Sequence, residues 1–452
     1  MEKSFAGLGI RVPEILLPDQ QIDLTKWSVV ACDQYTSQPE YWEKAAELVG
    51  DHPSTLHLIY PEVYLGKEDG AQRILKIQQN MHDYLDNNIL KPQGLGFVFV
   101  NRKTSHAPSR KGLIVALDLE CYDYHLGSQT LIRATEGTVL ERIPPRVRIR
   151  EEAIIEVPHI MVLIDDPQKT IIEPIADRLS DLKQLYDVNL MLDGGHVEGY
   201  MVDQDEIINN ILGGLQTLAD KKSYNKRYGL EDREVLLYAV GDGNHSLATA
   251  KAVWEKVKQN SQSSNLENHP ARFALVELVN IHDPGIAFES IHRVVFHVNF
   301  ENMLTAMADF YNRTGSGFRY CQFSNEAEFK TALSNHLSNS GTQVFSYVIE
   351  NSYGIIEITR PSHNLEVGTL QAFLDDYIKD HPGMEVDYIH GDDVVSKLGS
   401  QTGNAGFYLP PMEKSALFKT VIVDGVLPRK TFSMGEAEEK RFYMECRKIV
   451  QL

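Results

Sequence analysis

The stretch Glu234-Val-Leu-Leu-Tyr-Ala-Val240, followed at once by Gly241-Asp-Gly-Asn-His-Ser246, decides how the N-terminal part of this chain folds. The first seven residues are mostly apolar and include β-branched and aromatic side chains, which predicts a short buried strand. Apolar residues then recur at the spacing of one helix face from Leu247 to Val257, so a helix is predicted to start near Ser246. The glycine-rich turn therefore joins a strand to the N-terminus of a helix.

This turn has the composition of an anion-binding site. The first N–H groups of a helix have no partner within the helix, and glycine lets the backbone approach a ligand closely. Titratable side chains packed into one glycine-rich turn are typical of active sites, so we predict catalytic roles for Asp242 and His245. The alternative is a tight structural turn with Ser246 as the N-cap. The residues predicted to hold phosphate in the turn are Gly241, Gly243, Asn244 and Ser246.

A basic segment lies upstream, in a chain that is acidic overall. It holds five arginines within 18 residues, and its last three, Arg146, Arg148 and Arg150, alternate along the chain. On an extended segment these three would share a face, whereas on a helix only the first and the last would. Guanidinium groups suit phosphate ligands. We therefore predict that Arg133, Thr138 and Arg146 contribute to phosphate binding.

The short polar turn inside this segment contributes a carboxylate. Glu136 lies between Thr135 and Gly137, close in sequence to the arginines. A carboxylate in that position is suited to act as a general base or a metal ligand. The alternative is a surface ion-pair network. In that case the arginines would pair with Glu141, Glu151 and Glu152.

Two further segments are candidates for binding the substrate. Asp33-Gln34-Tyr35 follows a strand predicted over Trp27–Ala31, and strand ends often carry ligand sites in mixed α/β folds. His292-Arg293 would complete an anion pocket. The structural alternatives are a capping box between Ser37 and Glu40 and a solvated His-Arg pair on a strand.

A second glycine–histidine sequence, Asp193-Gly-Gly-His196, follows an apolar run and superficially repeats the pattern Asp242-Gly-Asn-His245. The flanking residues differ, so we do not infer an internal repeat. No His-Glu-x-x-His occurs, and no set of carboxylates and histidines has a recognised zinc-binding spacing along the chain. The sequence therefore leaves the metal ligands unassigned.

Composition and charge limit the classes of partner. The chain has 452 residues, and its 44 Lys and Arg against 63 Asp and Glu give a formal net charge of −19. An acidic chain disfavours non-specific binding to nucleic acids or anionic membranes. The four cysteines are far apart, and no apolar run has the length of a membrane span or a signal-peptide core. We expect a cytoplasmic protein with a small phosphate-bearing ligand; a homo-oligomer is compatible with the sequence.

The pattern of elements predicts two domains. Residues 1–296 are expected to form an α/β core that carries the glycine-rich anion-binding turn, and residues 297–452 a C-terminal α+β unit. The second unit includes a predicted hairpin over residues 342–359. Ser433 and Glu436 have capping-box spacing and predict a charged terminal helix.

Four motifs together resemble one protein family, the bacterial and archaeal domain-of-unknown-function 1015 family. The resemblance covers nearly the whole chain, although the name of the family carries no activity. The motifs are Val30-Ala-Cys-Asp-Gln-Tyr-Thr-Ser-Gln-Pro-Glu-Tyr-Trp42, Arg133-Ala-Thr-Glu-Gly-Thr138, Val157-Pro-His159 and Gly241-Asp-Gly-Asn-His-Ser246.

The strand–Asp-Gly-x-His–helix element is in addition similar to the phosphate-binding turn of the ParB/sulfiredoxin-like fold. That fold includes chromosome-partitioning CTPases, sulfiredoxin and nucleotide-dependent free-serine kinases. The resemblance implies the α+β class, with a ParB/sulfiredoxin-like mixed α/β core and an additional C-terminal α+β unit. It also implies that Asp242, Gly243 and His245 form the turn and that Glu136 is the base. Ser246 stands where an arginine is usual, so Arg133 or Arg146 would supply that charge.

These features predict a nucleotide-dependent phosphotransferase that acts on a small hydroxyl metabolite, with free serine as the best candidate acceptor. The fold resemblance implies ATP, or another nucleotide, and Mg²⁺ as cofactors. The alternative is a non-catalytic regulatory protein that binds a nucleotide or metabolite at the same turn and does not need Glu136. A DNA-partitioning role, suggested by the fold resemblance alone, is disfavoured by the charge of −19.

Overall fold

The computed structural model describes residues 4–261, 266–335, 341–350 and 352–451, which divide into two compact units. Unit 1 comprises Met1–Ile286 and Gly435–Leu452, and unit 2 comprises Ala287–Met434. The predicted boundary after residue 296 differs from this division, because it falls at the end of a strand, Phe288–Phe296, that belongs to unit 2. The prediction also assigned the C-terminal segment to the second domain, whereas this segment returns to unit 1.

The N-terminal part of unit 1 alternates strands and helices. Its strands are β1 (Ser4–Phe5), β2 (Ile10–Arg11), β3 (Glu14–Pro18), β4 (Leu90–Leu95), β5 (Phe97–Lys103), β6 (Arg110–Asp118), β7 (Tyr122–Asp123), β8 (Ile132–Ala134), β9 (Ile155–Glu156), β10 (Met161–Ile164), β11 (Lys183–Asn189), β12 (His196–Val202), β13 (Tyr238–Asp242) and β14 (Phe273–Asn280). Its α-helices are α1 (Leu24–Trp27), α2 (Pro39–Val49), α3 (Gly70–Asp86), α4 (Ile143–Arg150), α5 (Asp205–Ala219), α6 (Lys221–Tyr228) and α7 (Asn244–Asn260).

An eleven-stranded sheet forms the centre of unit 1. Its main path is β11-β12-β5-β6-β14-β10-β13-β8-β7, with β2 beside β6 and β1 beside β2. The pairs β10–β14, β8–β13 and β7–β8 are parallel, and the other pairs are antiparallel. Separate two-stranded pairing joins β3 to β4. The predicted mixed α/β class is confirmed, and the narrower ParB/sulfiredoxin-like assignment stays a prediction.

The strand that decides the fold lies inside this sheet. Residues 235–240 are all buried, and β13 has β10 on one side and β8 on the other. The strand begins at Tyr238 and extends to Asp242, two residues beyond the predicted end. Helix α7 begins at Asn244, because Gly243 takes a left-handed conformation and serves as the N-cap. The predicted strand–turn–helix element is therefore present, with its boundaries shifted.

Unit 2 has its own sheet, in the order β16-β18-β17-β20-β15-β19 with β21 beside β15. The predicted hairpin over residues 342–359 is confirmed as two consecutive antiparallel strands. In the described part of the chain, none of the helices is both long and apolar enough to cross a membrane. The strands are β15 (Phe288–Phe296), β16 (Gly317–Phe323), β17 (Thr342–Ile349), β18 (Ser352–Thr359), β19 (Glu385–His390), β20 (Ala405–Tyr408) and β21 (Phe432–Met434). The α-helices are α8 (Phe300–Arg313), α9 (Glu326–Asn335), α10 (Glu366–Asp380), α11 (Asp392–Gly399) and α12 (Lys414–Asp424).

The predicted charged terminal helix is wrong. After a single 3-10 turn over Ala437–Glu439 the chain is mostly extended and ends in a short strand, β22 (Arg447–Lys448), which pairs with β9. Ala31 N–H donates to Arg441 O at 2.9 Å, which supplies backbone bonding that a helix would otherwise provide. Residues 442–444 are all buried, and consecutive apolar positions do not fit the one-sided face of a surface helix. The capping box uses Glu436 and Glu439, and not Ser433.

Candidate functional site

The turn between β13 and α7 is held by one glycine. Gly243 has φ +77°, and a Cβ atom there would lie 3.0 Å from Ile160 Cα, so a side chain is disfavoured by both backbone angle and space. Asp242 Oδ1 accepts from Gly243 N–H at 2.9 Å. The first intrahelical bond is donated by Leu247 N–H to Gly243 O at 3.0 Å. The N–H groups of residues 244–246 precede it and form the positively polarised end of α7.

The segment that contains Glu136 lies beside this turn and is fixed at both ends. Thr135 Oγ1 donates to Val240 O at 2.6 Å, and Val139 N–H donates to His245 Nε2 at 3.3 Å. Glu136 lies between these two contacts and is partly buried. The structure therefore brings the segment that contains the predicted base to the predicted phosphate-binding turn, although the two are more than a hundred residues apart in sequence.

Two buried polar atoms in this region have no hydrogen-bond partner among the described residues. They are Thr138 Oγ1 and Asn244 Oδ1, both of them predicted phosphate-binding residues. A buried polar atom without a partner costs free energy, and such atoms are often satisfied by a ligand or by water. Their presence beside the helix N-terminus makes the turn a candidate place for a polar ligand.

The surroundings of His245 are electropositive. Burial and the nearby charges of Arg146 and Arg142 lower the pKa of His245 to about 4, against a smaller opposing effect of Asp33. At neutral pH the ring is therefore neutral, and its proton resides on Nδ1 because Nε2 accepts from Val139 N–H. The arginine charges that contribute to this shift would also attract an anionic ligand, whereas burial by itself disfavours any charge.

Helix α4 places its arginines as the helical alternative predicted. Arg146 forms an ion pair with Glu62 and donates to Arg142 O at 2.7 Å, and Arg150 pairs with Glu156 at 2.5 Å. Arg148 faces solvent. The inward arginines thus pair with residues other than the three acidic residues of the predicted surface network. Those three were Glu141, Glu151 and Glu152, of which Glu151 pairs with Lys256 at 2.7 Å.

Ser246 belongs to a polar chain that the sequence did not predict. Its hydroxyl lies 3.2 Å from His159 Nε2, and His159 Nδ1 lies 2.9 Å from the Tyr443 hydroxyl, which accepts from Cys32 N–H at 3.0 Å. Asp33 Oδ2 is 3.7 Å from the same Nε2 atom. In a serine-hydrolase triad the acid and the hydroxyl face opposite ring nitrogens, so this arrangement is not one. Ser246 is also not the N-cap of α7.

Two aspartates and a lysine meet at the start of the turn. Lys440 Nζ lies 3.4 Å from Asp242 Oδ2. Burial raises the pKa of the Asp33 carboxyl, but the His159 ring, a hydrogen bond from Gln34 and the charge of Lys440 outweigh this, so its pKa lies below the ordinary value. Asp33 is therefore ionised at neutral pH. The predicted residue Asp33 thus joins the residues of the turn.

Gln34 and Tyr35 complete the first predicted substrate segment. Gln34 Nε2 donates to Asp33 Oδ1 at 3.0 Å, which fixes the carboxylate. Tyr35 has a left-handed φ of +52°, unusual for an aromatic residue, and its ring stacks on Tyr41 with 3.7 Å between centroids. The N-cap of α2 is Gln38, so the predicted capping box of Ser37 with Glu40 does not form.

Three predicted residues have their side-chain partners within their own units. The Arg133 guanidinium donates to Thr130 O at 2.8 Å and to Glu234 O at 2.9 Å, which places it at the residues preceding β13 and away from Gly243. His292 and Arg293 lie in unit 2. His292 Nδ1 accepts from Leu409 N–H at 3.1 Å, and the buried Arg293 guanidinium donates to several carbonyl groups. We assign these three side chains structural roles within their units.

An apolar cavity of about 140 Å³ adjoins the turn. His159, Ser246, Tyr443 and Arg146 line it together with apolar side chains. The apolar lining residues include Leu58, Ile59, Leu65, Met81, Ile149, Ile155 and Val157. A binding site here would therefore combine a polar, anion-favouring end with an apolar pocket, which is the usual composition of a small-molecule site.

Sequence reasoning missed His159, Tyr443 and Lys440 as site residues. His159 was present in the Val-Pro-His motif but was given no role, because nothing in the local sequence connects it to Ser246. Tyr443 and Lys440 come from the C-terminal segment, which was predicted to be a helix in another domain. Tyr443 N–H donates to Val29 O at 2.9 Å, and this pairing brings the segment to the site.

A family model described as "Protein of unknown function (DUF1015)" matches residues 16–377. No curated protein matches the sequence. Among solved structures, a conserved hypothetical protein from Pyrococcus furiosus is similar with 11% identity and a TM-score of 0.34, covering 75% of this chain and 95% of that chain. A free serine kinase mutant in complex with AMP has 10% identity and a TM-score of 0.37, covering 75% and 92%. A mutant of free serine kinase in complex with ADP has 10% identity and a TM-score of 0.37, covering 78% and 95%.

Proposed function

The chain belongs to the DUF1015 family, and we propose that unit 1 is a nucleotide-dependent phosphotransferase whose phosphate-binding element is the Gly243 turn. The acceptor is a small hydroxyl metabolite, with free serine as the first to be tested. The donor is ATP or another nucleotide, bound with Mg²⁺. The alternative is a regulatory protein that binds the nucleotide without turnover, and the experiments below separate the two.

The observation that carries the proposal is the electropositive helix N-terminus beside two unsatisfied buried polar atoms. The N–H groups at the start of α7 and the charges of Arg146 and Arg142 near His245 favour a phosphate group. Thr138 Oγ1 and Asn244 Oδ1 have no partner within the described residues. A hydroxyl can donate to a phosphate oxygen, and an amide oxygen can accept from a sugar or acceptor hydroxyl.

Carboxylates at the same turn supply the remaining requirements of phosphoryl transfer. Asp33 and Asp242 are oxygen ligands of the kind that Mg²⁺ prefers, and both lie near Lys440. Glu136 is the proposed general base. It accepts the proton of the acceptor hydroxyl as that oxygen bonds to the terminal phosphorus, and the bond to the nucleoside diphosphate breaks. Most of the catalytic effect in such reactions comes from positioning and charge stabilisation, which this set of residues provides.

The first experiment measures binding. A thermal-shift screen against ATP, ADP and AMP, each with and without Mg²⁺, is followed by calorimetric titration of the strongest ligand. His245→Ala is expected to abolish binding of that ligand while the unfolding temperature of the free protein stays nearly unchanged. The histidine contacts the Glu136 segment through one 3.3 Å hydrogen bond, so its loss should not unfold the chain.

A matched pair on helix α4 controls for general charge effects. Arg146→Gln removes a guanidinium whose charge acts on His245 and is expected to weaken nucleotide binding strongly. Arg148→Gln removes an exposed charge from the same helix and is expected to leave the affinity unchanged. Equal affinities in both variants, or a large loss of stability in His245→Ala, would show that the turn is structural and would contradict the proposal.

A further inference from the structure

The polar face of the β11–β12 hairpin carries a group of residues that the proposed function does not use. Asp187 lies directly opposite Glu198, and Asn189 lies opposite His196 in the antiparallel register. Residues two apart on a strand point to the same face, so all four side chains share one face of the sheet edge. The intervening Val188 and Val197 point the other way and are buried. The hairpin therefore presents three titratable side chains together.

The ligand atoms of these three side chains converge. His196 Nε2 lies 3.0 Å from Asp187 Oδ1 and 3.8 Å from Glu198 Oε1. One atom from each of the three residues lies within 4.8 Å of the other two. Ligand atoms bound to one ion at about 2.0–2.2 Å are about 3–4 Å apart, so this spacing suits a single ion.

The contact of Nδ1, the other ring nitrogen of His196, determines which nitrogen carries the proton. Nδ1 lies 2.9 Å from Asn189 Oδ1, and an amide oxygen only accepts hydrogen bonds. Nδ1 therefore carries the proton, and the Nε2 lone pair points at two carboxylate oxygens. That arrangement is repulsive unless a cation lies between the three atoms or the ring takes a second proton. Histidines that bind metals characteristically donate their other N–H to an oxygen in this way.

Each of the two carboxylates also accepts a hydrogen bond from a side-chain amide on its other oxygen. Gln184 Nε2 donates to Asp187 Oδ2 at 3.3 Å, and Asn101 Nδ2 donates to Glu198 Oε2 at 3.4 Å. In each case the outer oxygen is bound by an amide, and the inner oxygen faces His196. Every one of the three side chains thus has a second contact that orients its ligand atom. Outer contacts of this kind orient the ligands in known metal sites.

We infer that Asp187, His196 and Glu198 bind a divalent transition-metal ion of the Zn²⁺ type, with water completing the coordination. A mixture of one imidazole and two carboxylates suits such an ion, and the half-exposed Asp187 side chain leaves the site open to solvent. The ion joins the edge strand β11 to β12. The inference involves none of the residues of the Gly243 turn and does not depend on the proposed phosphotransferase activity.

The site also explains the glycine–histidine sequence that precedes it. A Cβ atom on Gly195 would lie 2.2 Å from Lys103 O, and Gly195 has φ +79°. The glycines therefore allow a tight turn against β5, after which His196 is the first residue of β12. The sequence pattern contained no zinc-binding spacing, because two of the ligands lie in a His-x-Glu arrangement on one strand and the third comes from its neighbour.

The test is a metal titration of the full-length protein after treatment with a chelator and dialysis. Zn²⁺ is titrated in competition with a chromophoric chelator near neutral pH, and Co²⁺ is used for visible absorption spectra. The wild-type protein is expected to take up a stoichiometric amount of Zn²⁺ and to change the Co²⁺ spectrum. His196→Gln and Glu198→Gln are expected to lose this binding, since each removes a ligand.

Two further variants complete the test. Asn189→Ala leaves all three ligands in place but releases the imidazole, and is expected to weaken Zn²⁺ binding by about 10–100-fold. His82→Gln, an exposed histidine on α3, is the matched control and is expected to bind as the wild type does. Circular dichroism confirms that each variant is folded. If the wild-type protein takes up no Zn²⁺ or Co²⁺, or if His196→Gln and Glu198→Gln bind these ions as tightly as the wild type does, the inference is wrong.

Discussion

The two glycine–histidine turns of unit 1 have nearly the same residues but differ in what they connect. Asp242-Gly-Asn-His245 leads from a strand into helix α7, whereas Asp193-Gly-Gly-His196 connects two antiparallel strands. Gly243 and Gly195 have φ of +77° and +79°, so the backbone angle at the two glycines is almost the same. The different outcome comes from the residues that follow, an apolar helical pattern after the first turn and a strand after the second.

The two histidines also differ in the charge around them. Burial and the charges of Arg146 and Arg142 lower the pKa of His245, and the ring accepts a hydrogen bond from a backbone N–H. His196 instead faces the carboxylates of Asp187 and Glu198. One short sequence pattern thus occurs once in an environment suited to an anion and once in an environment suited to a cation. If both proposals hold, the neighbouring elements, and not the pattern, determine which ligand each turn binds.

The largest expected effect concerns the carboxylate beside the first turn. If that turn is catalytic, Glu136→Gln should lower the turnover of nucleotide in the presence of the acceptor by about 10²–10⁴-fold, the usual contribution of a general base. Nucleotide affinity should be unchanged, because the phosphate is held by the helix N-terminus. The measurement is nucleotide consumption with and without serine and other small alcohols, together with calorimetric titration of the nucleotide.

The control for this comparison is Glu141→Gln, an exposed glutamate in the adjoining 3-10 turn, which should retain full turnover. Retained turnover in Glu136→Gln would remove this residue from the mechanism. A wild-type protein that binds the nucleotide but consumes none with any acceptor would favour the regulatory alternative.

The next largest effect separates the two glycines. Alanine at Gly243 must adopt a left-handed angle and contact Ile160, and we expect the free energy of unfolding to fall by about 1–3 kcal/mol. Alanine at Gly195 has the same angular cost, but its Cβ would lie 2.2 Å from a backbone oxygen. The chain there must shift, which should add about 1–3 kcal/mol to the loss. Urea denaturation of both variants measures the difference.

Gly229→Ala provides the reference for the angular cost alone. Gly229 has φ +67° at the C-terminus of α6, with nothing within 4 Å of an added Cβ. The free energy of unfolding should fall somewhat more in Gly243→Ala than in Gly229→Ala. It should fall most in Gly195→Ala. Equal losses of stability in Gly195→Ala and Gly229→Ala would show that the hairpin turn accommodates a side chain at little cost. The turn would then not constrain the position of His196.

Much of the fold could be predicted because the local patterns are unambiguous. The strand–glycine–helix element at residues 238–260 and the hairpin over residues 342–359 follow directly from hydrophobic period and turn residues. The C-terminal segment could not be predicted, since its charged residues favour a helix while its actual backbone partners lie at residues 16, 29–31 and 154–156. Pairing between segments that are distant in sequence leaves no periodic signal in either segment.

The residues of the candidate site also fall into two groups, those that local sequence patterns predicted and those that they did not. Asp242, Gly243 and His245 were identified from the turn itself, and Glu136 and Arg146 from a polar, arginine-rich stretch that the fold brings beside it. His159, Lys440 and Tyr443 were missed, because each reaches the turn from an element distant in sequence. Arg133 was included only for its charge, but its guanidinium is occupied by backbone carbonyl groups. Charge in a sequence does not show which arginines are already bound.

The smallest expected effect is a dependence of stability on pH that comes from His245. The pKa of this ring is lowered from an ordinary value of 6.5 to about 4 in the folded protein. Between these values the unfolded chain binds a proton that the folded protein does not, so folding is favoured as pH rises. Above pH 6.5 the titration of His245 does not reduce the stability of the folded protein. As the pH falls from 6.5 toward 4, protonation of the unfolded chain lowers the free energy of unfolding. At neutral pH the effect is absent, because the ring is then unprotonated in both the folded and the unfolded chain.

The measurement is urea denaturation of the wild type and of His245→Gln at several pH values between 7.5 and 4. Carboxylates that titrate in this range affect both proteins alike, so the difference between the two curves isolates the histidine. The wild type should lose stability relative to the variant as the pH falls. A bound phosphate group should raise the pKa of the ring, because an anion stabilises its protonated form, and should therefore reduce that difference. Parallel curves without ligand would mean that His245 titrates normally, and the proposed electropositive character of the first turn would then have no support from its histidine.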